Sequence, residues 1–395
     1  MSTALQGLRV LDLSTLFSAP QISAMLGDFG ADVVKVEPRE GDLQRRLGVQ
    51  QAGQSRLWSM VARNKRTITL DLDAAPGRSL LQRLVAASDV LVVNAPQRTL
   101  ERWEIPWERI SAAHPQLVMV RVSGYGATGP NADRPGAGSL GEAYAGLTHM
   151  TGERDGPPMM TALPLGDILT AVSGLIGTLL ACYARDTQGA GGQLVDVSMY
   201  EPILQLLSGA VANWDGGEPP NRMGSRVAGG VPRNVYRTGD GRFVVVSGTT
   251  DPQVGRMLTL LQRDSEEDRA RFGASSDRLR NADELDGLVA DWIAQRSRPD
   301  VIAALDAHRI PVSPVNDLRD VVSDDHVTAR RNIEAFEDAI LGRVHLVTPS
   351  PRLSQTPGEI QRLGAPIGAH NREVYREWIG LEGAAFETLV SEGTI

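Results

Sequence analysis

The sequence has 395 residues, of which 42% are hydrophobic and 22% are charged, and its formal net charge is −8. The apolar fraction excludes general disorder, and the length predicts two domains at about 100–200 residues each. The acidic balance argues against nucleic-acid binding, which needs a basic surface. The single cysteine, Cys182, cannot form an internal disulfide, and the first residues lack a signal-peptide pattern, so we expect a cytoplasmic protein.

Strand and helix signals alternate along the first half of the sequence. Apolar patterns predict strands at residues 8–13, 33–37, 67–72, 90–93, 117–122 and 193–197, with helices between them. This order predicts an α/β fold with a Rossmann-like, doubly wound, mostly parallel sheet. Such sheets bind ligands beyond the carboxyl ends of their strands, so we expect the site in the loops after Leu13, Glu37, Val93 and Val122.

The longest uncharged run, residues 168–184, predicts a buried core helix. Its length of about 17 residues is less than the roughly 20 apolar residues that cross a membrane, so we expect no membrane partner. Glycine and proline become frequent near residue 220, which predicts a domain boundary. An Asp-Gly hairpin turn at residues 240–241 and a charged helical stretch at 252–306 then indicate a smaller α+β domain.

Several common site patterns are missing from the sequence. The loop at residues 14–20 has no glycine, although a nicotinamide dinucleotide site needs glycines after the first strand, and no phosphate-loop motif occurs. The six histidines show no metal-ligand spacing, so we expect no metal. Cys182 stands in an apolar run, where a cysteine usually packs without reacting. A Gly-x-Ser-x-Gly motif, which would indicate a hydrolase triad, is also missing.

Asp167 stands immediately before the apolar run and has two interpretations. An aspartate there is typical of a helix N-cap, and that structural role alone explains it. The helix dipole and backbone N–H donors also favour its charged form, and an ionised carboxylate can act as a covalent nucleophile. Glycine-rich segments at 123–130 and 228–230 are either ordinary turns or loops around a site, the second as a mobile cover.

Several segments, in their order along the chain, resemble CoA-transferases of family III, the CaiB/BaiF type. The resemblance rests on residues 5–13, 26–38, 64–72, 123–130, 166–167, 196–201 and 363–370. It implies an interlocked homodimer in which both chain ends build the large Rossmann-like domain. The expected limits are therefore 1–215 for the first part of the large CoA-binding domain, 225–316 for the small domain, and 317–395 for the return to the large domain.

The resemblance also implies a reaction between two small molecules, an acyl-CoA and a free carboxylic acid. Asp167 would attack the thioester to form an acyl-aspartyl anhydride, and the CoA thiolate would return to give an aspartyl-CoA thioester. An acceptor carboxylate would then take the CoA. Gly229 and Gly230 would form a cover loop that shields the anhydride from water. CoA is a substrate here, and no nicotinamide takes part.

CoA contacts are expected at positions that match the family, and the arginines are the natural phosphate ligands. The resemblance implies contacts at Thr15, Leu16, Ser18, Arg39, Leu70, Leu72, Asn94 and Arg102, to which we add Tyr125 of the glycine-rich loop. Charge alone suggests Arg98 and Arg134 as further phosphate partners.

Two departures from the family pattern bear on the reaction. Related racemases place a histidine shortly after the Tyr-Gly loop, but residues 134–140 contain none, so racemisation lacks its base. Ala137 and Gly138 stand where bulkier or acidic residues are usual, which would enlarge the acyl pocket or remove some CoA contacts. The alternatives to a CoA-transferase are an acyl-CoA racemase or isomerase and a non-catalytic CoA-binding protein. The sequence leaves the donor and acceptor acids open.

Overall fold

A computed structural model describes residues 3–227 and 229–395. Its strands, in chain order, are β1 (Arg9–Asp12), β2 (Asp32–Glu37), β3 (Gln50–Gln51), β4 (Gln54–Ser55), β5 (Lys65–Thr69), β6 (Val90–Val93), β7 (Val118–Ser123), β8 (Leu194–Ser198), β9 (Arg233–Arg237), β10 (Phe243–Ser247), β11 (Val312–Pro314), β12 (Ile333–Asp338) and β13 (Gly342–Val347).

The helices of the first half are α1 (Ser18–Asp28), α2 (Arg56–Val61), α3 (Ala75–Ala86), α4 (Gln97–Arg102), α5 (Trp107–Ala113), α6 (Gly138–Tyr144), α7 (Leu147–Met150), α8 (Leu165–Gln188), α9 (Glu201–Leu206) and α10 (Ser208–Asn213). Those of the second half are α11 (Asp251–Leu260), α12 (Glu266–Phe272), α13 (Ser275–Arg280), α14 (Ala282–Ala294), α15 (Arg298–Ala307), α16 (Leu318–Ser323), α17 (Asp325–Ala329), α18 (Asn371–Ile379) and α19 (Gly383–Ser391). A short 3₁₀ helix covers Leu43–Arg46.

The large sheet has the strand order β5-β2-β1-β6-β7-β8, and every pairing in it is parallel. The predicted α/β class with a mostly parallel sheet is therefore confirmed. The side of the sheet on which successive strands are added changes between β1 and β6: β2 and β5 lie on one side of β1, and the later strands lie on the other. We call this change the reversal between β1 and β6. Loops that leave this point diverge and open a crevice at the carboxyl edge, where ligands of such sheets bind.

Alternate strand residues enter two separate hydrophobic cores, one on each face of the sheet. Leu11, Val34 and Leu91 enter the core that also contains buried residues of α3 and α18. Val10, Val33 and Val90 enter the other, which contains α1 and part of α8. Because both faces are covered, the strands are continuous apolar runs, which is why their positions are readable from the sequence.

The chain divides into two compact units. The first comprises residues 3–147, 160–213 and 329–395, so both chain ends contribute to the unit that contains the large sheet. The second comprises residues 148–159 and 214–328, which extends beyond the predicted limits of 225–316. Its antiparallel sheet has the order β11-β10-β9 and contains the predicted hairpin between β9 and β10.

Helix α8 is long and apolar enough to cross a membrane by length and composition, and 39% of its most apolar window is buried. Its buried face includes Ala171, Gly174 and Thr178, and α8 packs on α1 and on the sheet. The other face exposes a stripe of apolar side chains, namely Ile168, Val172, Ile176, Leu179, Leu180 and Tyr183. We call these six residues the α8 stripe.

Candidate active site

A cavity of about 860 Å³ lies at the carboxyl edge of the large sheet. The loops after β1, β2, β5 and β6 line it, and the reversal between β1 and β6 accounts for the crevice between the loops of those two strands. Six residues expected to contact CoA are in this lining: Thr15, Arg39, Leu70, Leu72, Asn94 and Arg102. The cavity thus offers apolar walls together with guanidinium groups.

Five other expected CoA contacts lie outside this lining. Leu16 directly follows Thr15, and Ser18 is buried at the start of α1. Tyr125 packs against Tyr144 with ring centroids 5.0 Å apart. Arg98 is exposed on α4, and the Arg134 guanidinium lies 6.0 Å from the Tyr125 ring. CoA binding by these five residues stays a prediction.

Several lining residues were missed by the sequence reasoning. Arg46 lies in the 3₁₀ helix after β2, and Trp103 directly follows Arg102. The Nε1 of Trp103 is buried without a hydrogen-bond partner in the described part of the chain. Gly393 brings the end of the chain to the cavity, where its backbone approaches Arg39. Because Trp103 directly follows Arg102, the sequence could have indicated Trp103 as a lining residue. No local signal in the sequence predicts that Gly393 lies at the cavity.

A buried ionic cluster holds the loop that leaves β1. Lys65 Nζ lies 2.8 Å from an Asp12 carboxylate oxygen, and Lys35 Nζ lies 2.9 Å from Asp42. Burial opposes the charge of Asp12, but Lys65 and Lys35 outweigh it and lower the pKa of Asp12 to about 2. Burial lowers the pKa of Lys65 to about 8 even though Asp12 favours its charged form. Lys35 also donates to the carbonyl of Ser14, so the cluster is tied to the loop backbone.

The loop is fixed on its other side by neighbouring strand ends. Thr15 donates its hydroxyl to Asp42 at 2.9 Å, and its backbone exchanges two hydrogen bonds with the Asn94 side chain, at 3.0 and 2.8 Å. Leu16 then adopts a left-handed conformation with φ of 70°, and α1 begins at Ser18. Residues 15–18 therefore join the cavity to the start of α1 through a short, constrained segment.

Asp167 does not cap α8, contrary to the expectation. The N-cap position is held by Pro164, which makes no side-chain cap hydrogen bond, and Asp167 is the third residue of the helix. Its carboxylate is half-buried. Burial raises the pKa of Asp167, the Ser18 hydroxyl lowers it, and the nearby Glu142 carboxylate raises it again. The net shift is upward, so burial outweighs the preference for the charged form expected from a helix start.

Two glycines determine how closely α6 and α8 approach each other. A Cβ atom on Gly138 would lie 2.4 Å from Asp167 Oδ2 and 2.7 Å from the Asp167 backbone nitrogen. A Cβ atom on Gly166 would lie 2.4 Å from the Gly138 carbonyl oxygen. The space that glycine leaves at 138 is therefore occupied by Asp167, which argues against the expectation that Gly138 enlarges the acyl pocket.

The predicted cover loop lies in the second unit. Gly229 has φ of +86°, and Gly230 forms an isolated bridge with Val227. A Cβ atom on Gly230 would lie 2.9 Å from Thr249 Cγ2. Ala228 lies outside the described residues. The role of the two glycines as a cover stays a prediction.

The sequence model of CoA-transferase family III matches residues 5–371. The chain belongs to CoA-transferase family III. Two relatives come from Chloroflexus aurantiacus. A succinyl-CoA–D-citramalate CoA-transferase is 35% identical over 380 residues, covering 95% of this chain and 94% of the relative. The beta subunit of a succinyl-CoA–L-malate CoA-transferase is 36% identical over 384 residues, with the same coverage of 95% and 94%.

A solved structure supports the same assignment. The CaiB/BaiF family protein from Brucella suis matches with a TM-score of 0.83 and 29% identity, covering 96% of this chain and 100% of that one. This family III protein is a CoA-transferase, and CoA thioesters are its substrates. In residues 3–227 and 229–395, no group of three histidine, cysteine or acidic side chains could hold a metal ion.

The contact between Gly138 and Asp167 predicts that a side chain at position 138 lowers activity. Gly138→Ala should lower kcat of CoA transfer by about 10- to 100-fold, because the new methyl group displaces the carboxylate. Gly255→Ala is the matched control, since Gly255 lies within α11 with no neighbour within 4 Å of a Cβ atom. Steady-state kinetics measure kcat for both variants. Equal kcat values for Gly138→Ala and Gly255→Ala would contradict the proposed effect of the Gly138 methyl group on Asp167.

Proposed function

We propose that the protein transfers CoA from succinyl-CoA to a dicarboxylic acid of the malate or citramalate type, through covalent intermediates on Asp167. The two Chloroflexus relatives support the substrate classes, since both are named for a succinyl-CoA donor and a hydroxylated dicarboxylate acceptor. The observation that supports the covalent route is the half-buried Asp167, which packs against Gly138 and accepts a hydrogen bond from Ser18, three residues after Thr15 of the cavity lining.

In the first half-reaction, an Asp167 carboxylate oxygen attacks the thioester carbonyl carbon of succinyl-CoA. A C–O bond forms, the C–S bond breaks, and the electron pair leaves on the CoA thiolate. The thiolate then attacks Cγ of Asp167 in the anhydride. This step releases succinate and leaves an aspartyl-CoA thioester. Asp167 is a neutral acyl group in both intermediates.

In the second half-reaction, a carboxylate oxygen of the acceptor attacks Cγ of the aspartyl-CoA thioester. A second anhydride forms and the CoA thiolate is again expelled. The thiolate attacks the acceptor's acyl carbon, which forms the new acyl-CoA and returns Asp167 as a carboxylate. No proton is gained or lost overall, because each step exchanges one anionic leaving group for another.

The cavity residues suit the CoA portion of the substrate. Arg39, Arg46 and Arg102 would neutralise its phosphates, since guanidinium groups bind phosphate with paired donors. Leu70, Leu72 and the neighbouring Trp103 would pack against its less polar parts. Gly229 and Gly230 would cover the anhydride, because water would hydrolyse it and waste the CoA bond.

We further propose a homodimer, in which the partner subunit covers the α8 stripe. Leu180 and Tyr183 are 63% and 62% exposed, and Ile176 is 52% exposed, on a single helix face. A continuous apolar surface of this kind marks an interface in proteins that stay in solution. The interlocked arrangement implied by the family would supply a second copy at this face.

Replacement of Asp167 tests the covalent route. Asp167→Asn should lower CoA transfer by at least about 10³-fold, because the amide cannot form the anhydride. Asp186→Asn on the same helix should keep the activity, since Asp186 is exposed and pairs with Arg185. New thioesters formed from succinyl-CoA and a panel of dicarboxylic acids are followed by mass spectrometry. Intact-protein mass should rise by CoA minus water in the Asp186→Asn protein alone.

Two arginines on α4 test the CoA site. Arg102→Gln should raise KM for acyl-CoA about tenfold, because it removes a charged phosphate partner from the cavity lining. Arg98→Gln makes the same change on the same helix but outside the lining. A wild-type KM for acyl-CoA in Arg102→Gln would contradict the assignment of the cavity to CoA, and a raised KM in Arg98→Gln would show that Arg98 also contacts CoA.

Replacement of an α8 stripe residue tests the dimer. Leu180→Glu should convert the dimer into monomers or aggregates, because it would place a charge in an apolar interface. Val347→Glu is the control, since Val347 is 72% exposed on β13 and lies outside the stripe. Light scattering after size exclusion gives the mass of each variant. A Leu180→Glu protein with the mass of the wild type would contradict the proposed interface.

A further inference from the structure

Glu142 is a buried carboxylate beside the proposed nucleophile, and it takes no part in either half-reaction. It is 2% exposed and lies on α6. Its Oε1 accepts the backbone N–H of Gly166 at 2.9 Å, and its Oε2 accepts the hydroxyl of Thr161 at 2.7 Å. Both donors are uncharged. Glu142 therefore brings a negative charge to the start of α8 through two neutral hydrogen bonds.

The hydrogen bond from Gly166 to Glu142 lies one residue before the proposed nucleophile. Gly166 directly precedes Asp167, so Glu142 holds the backbone from which the catalytic side chain leaves. Helix α6 also provides Gly138, whose missing side chain makes room for the Asp167 carboxylate. The same helix therefore leaves space for the nucleophile at one end and fixes its backbone near the other.

The charge of Glu142 acts differently on the resting enzyme and on the intermediates. In the resting enzyme, burial and the Glu142 carboxylate both raise the pKa of Asp167, while the Ser18 hydroxyl lowers it. In the anhydride and in the thioester, Asp167 carries no charge. The repulsion between the two carboxylates is therefore present before attack and absent after it.

Other titratable groups on the elements that pack against α8 have partners of their own. The contacting elements are α1, α6, α9, β7 and β8. Their groups pair as Asp28 with Arg63, Tyr144 with Asn131, Glu201 with Ser198, Arg121 with Gln97, and Asp196 with the Ala127 N–H. On α8 itself, Cys182, Tyr183, Arg185 and Asp186 lie at the opposite end of the helix. Glu142 is the carboxylate that acts on Asp167.

We propose that Glu142 is a positioning residue, which holds Gly166 in place and whose negative charge makes Asp167 a stronger nucleophile. This inference rests on the proposed function of Asp167 as the covalent nucleophile. It assigns Glu142 two separable tasks, one geometric and one electrostatic, and each can be removed without the other.

Two substitutions separate these tasks. Glu142→Gln keeps the shape and removes the charge: its amide oxygen can accept the Gly166 N–H, and its amide nitrogen can donate to the Thr161 hydroxyl. The Thr161 proton then goes to the Leu163 carbonyl, which already lies 2.9 Å away. Glu142→Asp keeps the charge and withdraws the acceptor from Gly166. Glu387→Gln, at an exposed pair with Arg372, controls for charge loss alone.

The readout is the pH profile of kcat/KM with succinyl-CoA and one dicarboxylic acid for all variants, so that titration of the substrates cancels. In Glu142→Gln, the acidic limb should move about one pH unit lower, because a neighbouring negative charge is lost. Its kcat should fall about three- to tenfold, as expected for a weaker nucleophile. In Glu142→Asp, kcat should fall while the limb stays near its wild-type position. Glu387→Gln should match the wild type.

Different outcomes overturn the role of Glu142 and the role of Asp167. An unmoved limb in Glu142→Gln overturns the electrostatic task, and wild-type kcat in Glu142→Asp overturns the geometric one. Thermal melting identifies a variant that does not fold. The other variant then still tests the task that its substitution removes. If Asp167→Asn keeps its transfer activity, the covalent route and this inference both fail. If Asp167→Asn is inactive and both Glu142 variants behave as wild type, this inference alone fails.

Discussion

The close approach of α6 and α8 at Gly138 and Gly166 is the constraint on which the site depends. Neither position has room for a Cβ atom, and the Asp167 carboxylate occupies the space beside Gly138. A carboxylate packed against backbone loses solvation, which raises its pKa and its free energy in the charged form. The proposed covalent route would relieve this cost, because Asp167 would be neutral in each acyl intermediate.

The large sheet supplies the second requirement, a rigid edge for the cavity proposed to bind CoA. Lys35 and Lys65, the two lysines of the sequence, are both buried in ion pairs beneath the loop that leaves β1. Removing one partner of such a pair leaves a buried charge, so the cluster tolerates little movement. The segment at residues 15–18 is therefore fixed between the cavity and the start of α1.

Helix α8 would connect the proposed nucleophile with the proposed subunit interface. One face of this helix packs on the sheet, and its first turn carries Asp167. The opposite face presents the α8 stripe, which water does not solvate well. The proposed subunit interface on that face would hold the helix that carries the proposed nucleophile, so that loss of the dimer would also loosen the start of α8.

The sequence by itself determined the large sheet and the order of its strands and helices, and its resemblance to family III indicated Asp167 as the candidate nucleophile. Buried parallel strands are continuous apolar runs and helices have their own period, so both are local signals. Only the tertiary structure showed that Asp167 is the third residue of α8 instead of its cap, and that Glu142 lies beside it. It also placed Gly393 in the cavity lining and left Arg98 outside it. The positions of Glu142 and Gly393 depend on contacts between segments far apart in the chain, and such contacts leave no periodic pattern in the sequence.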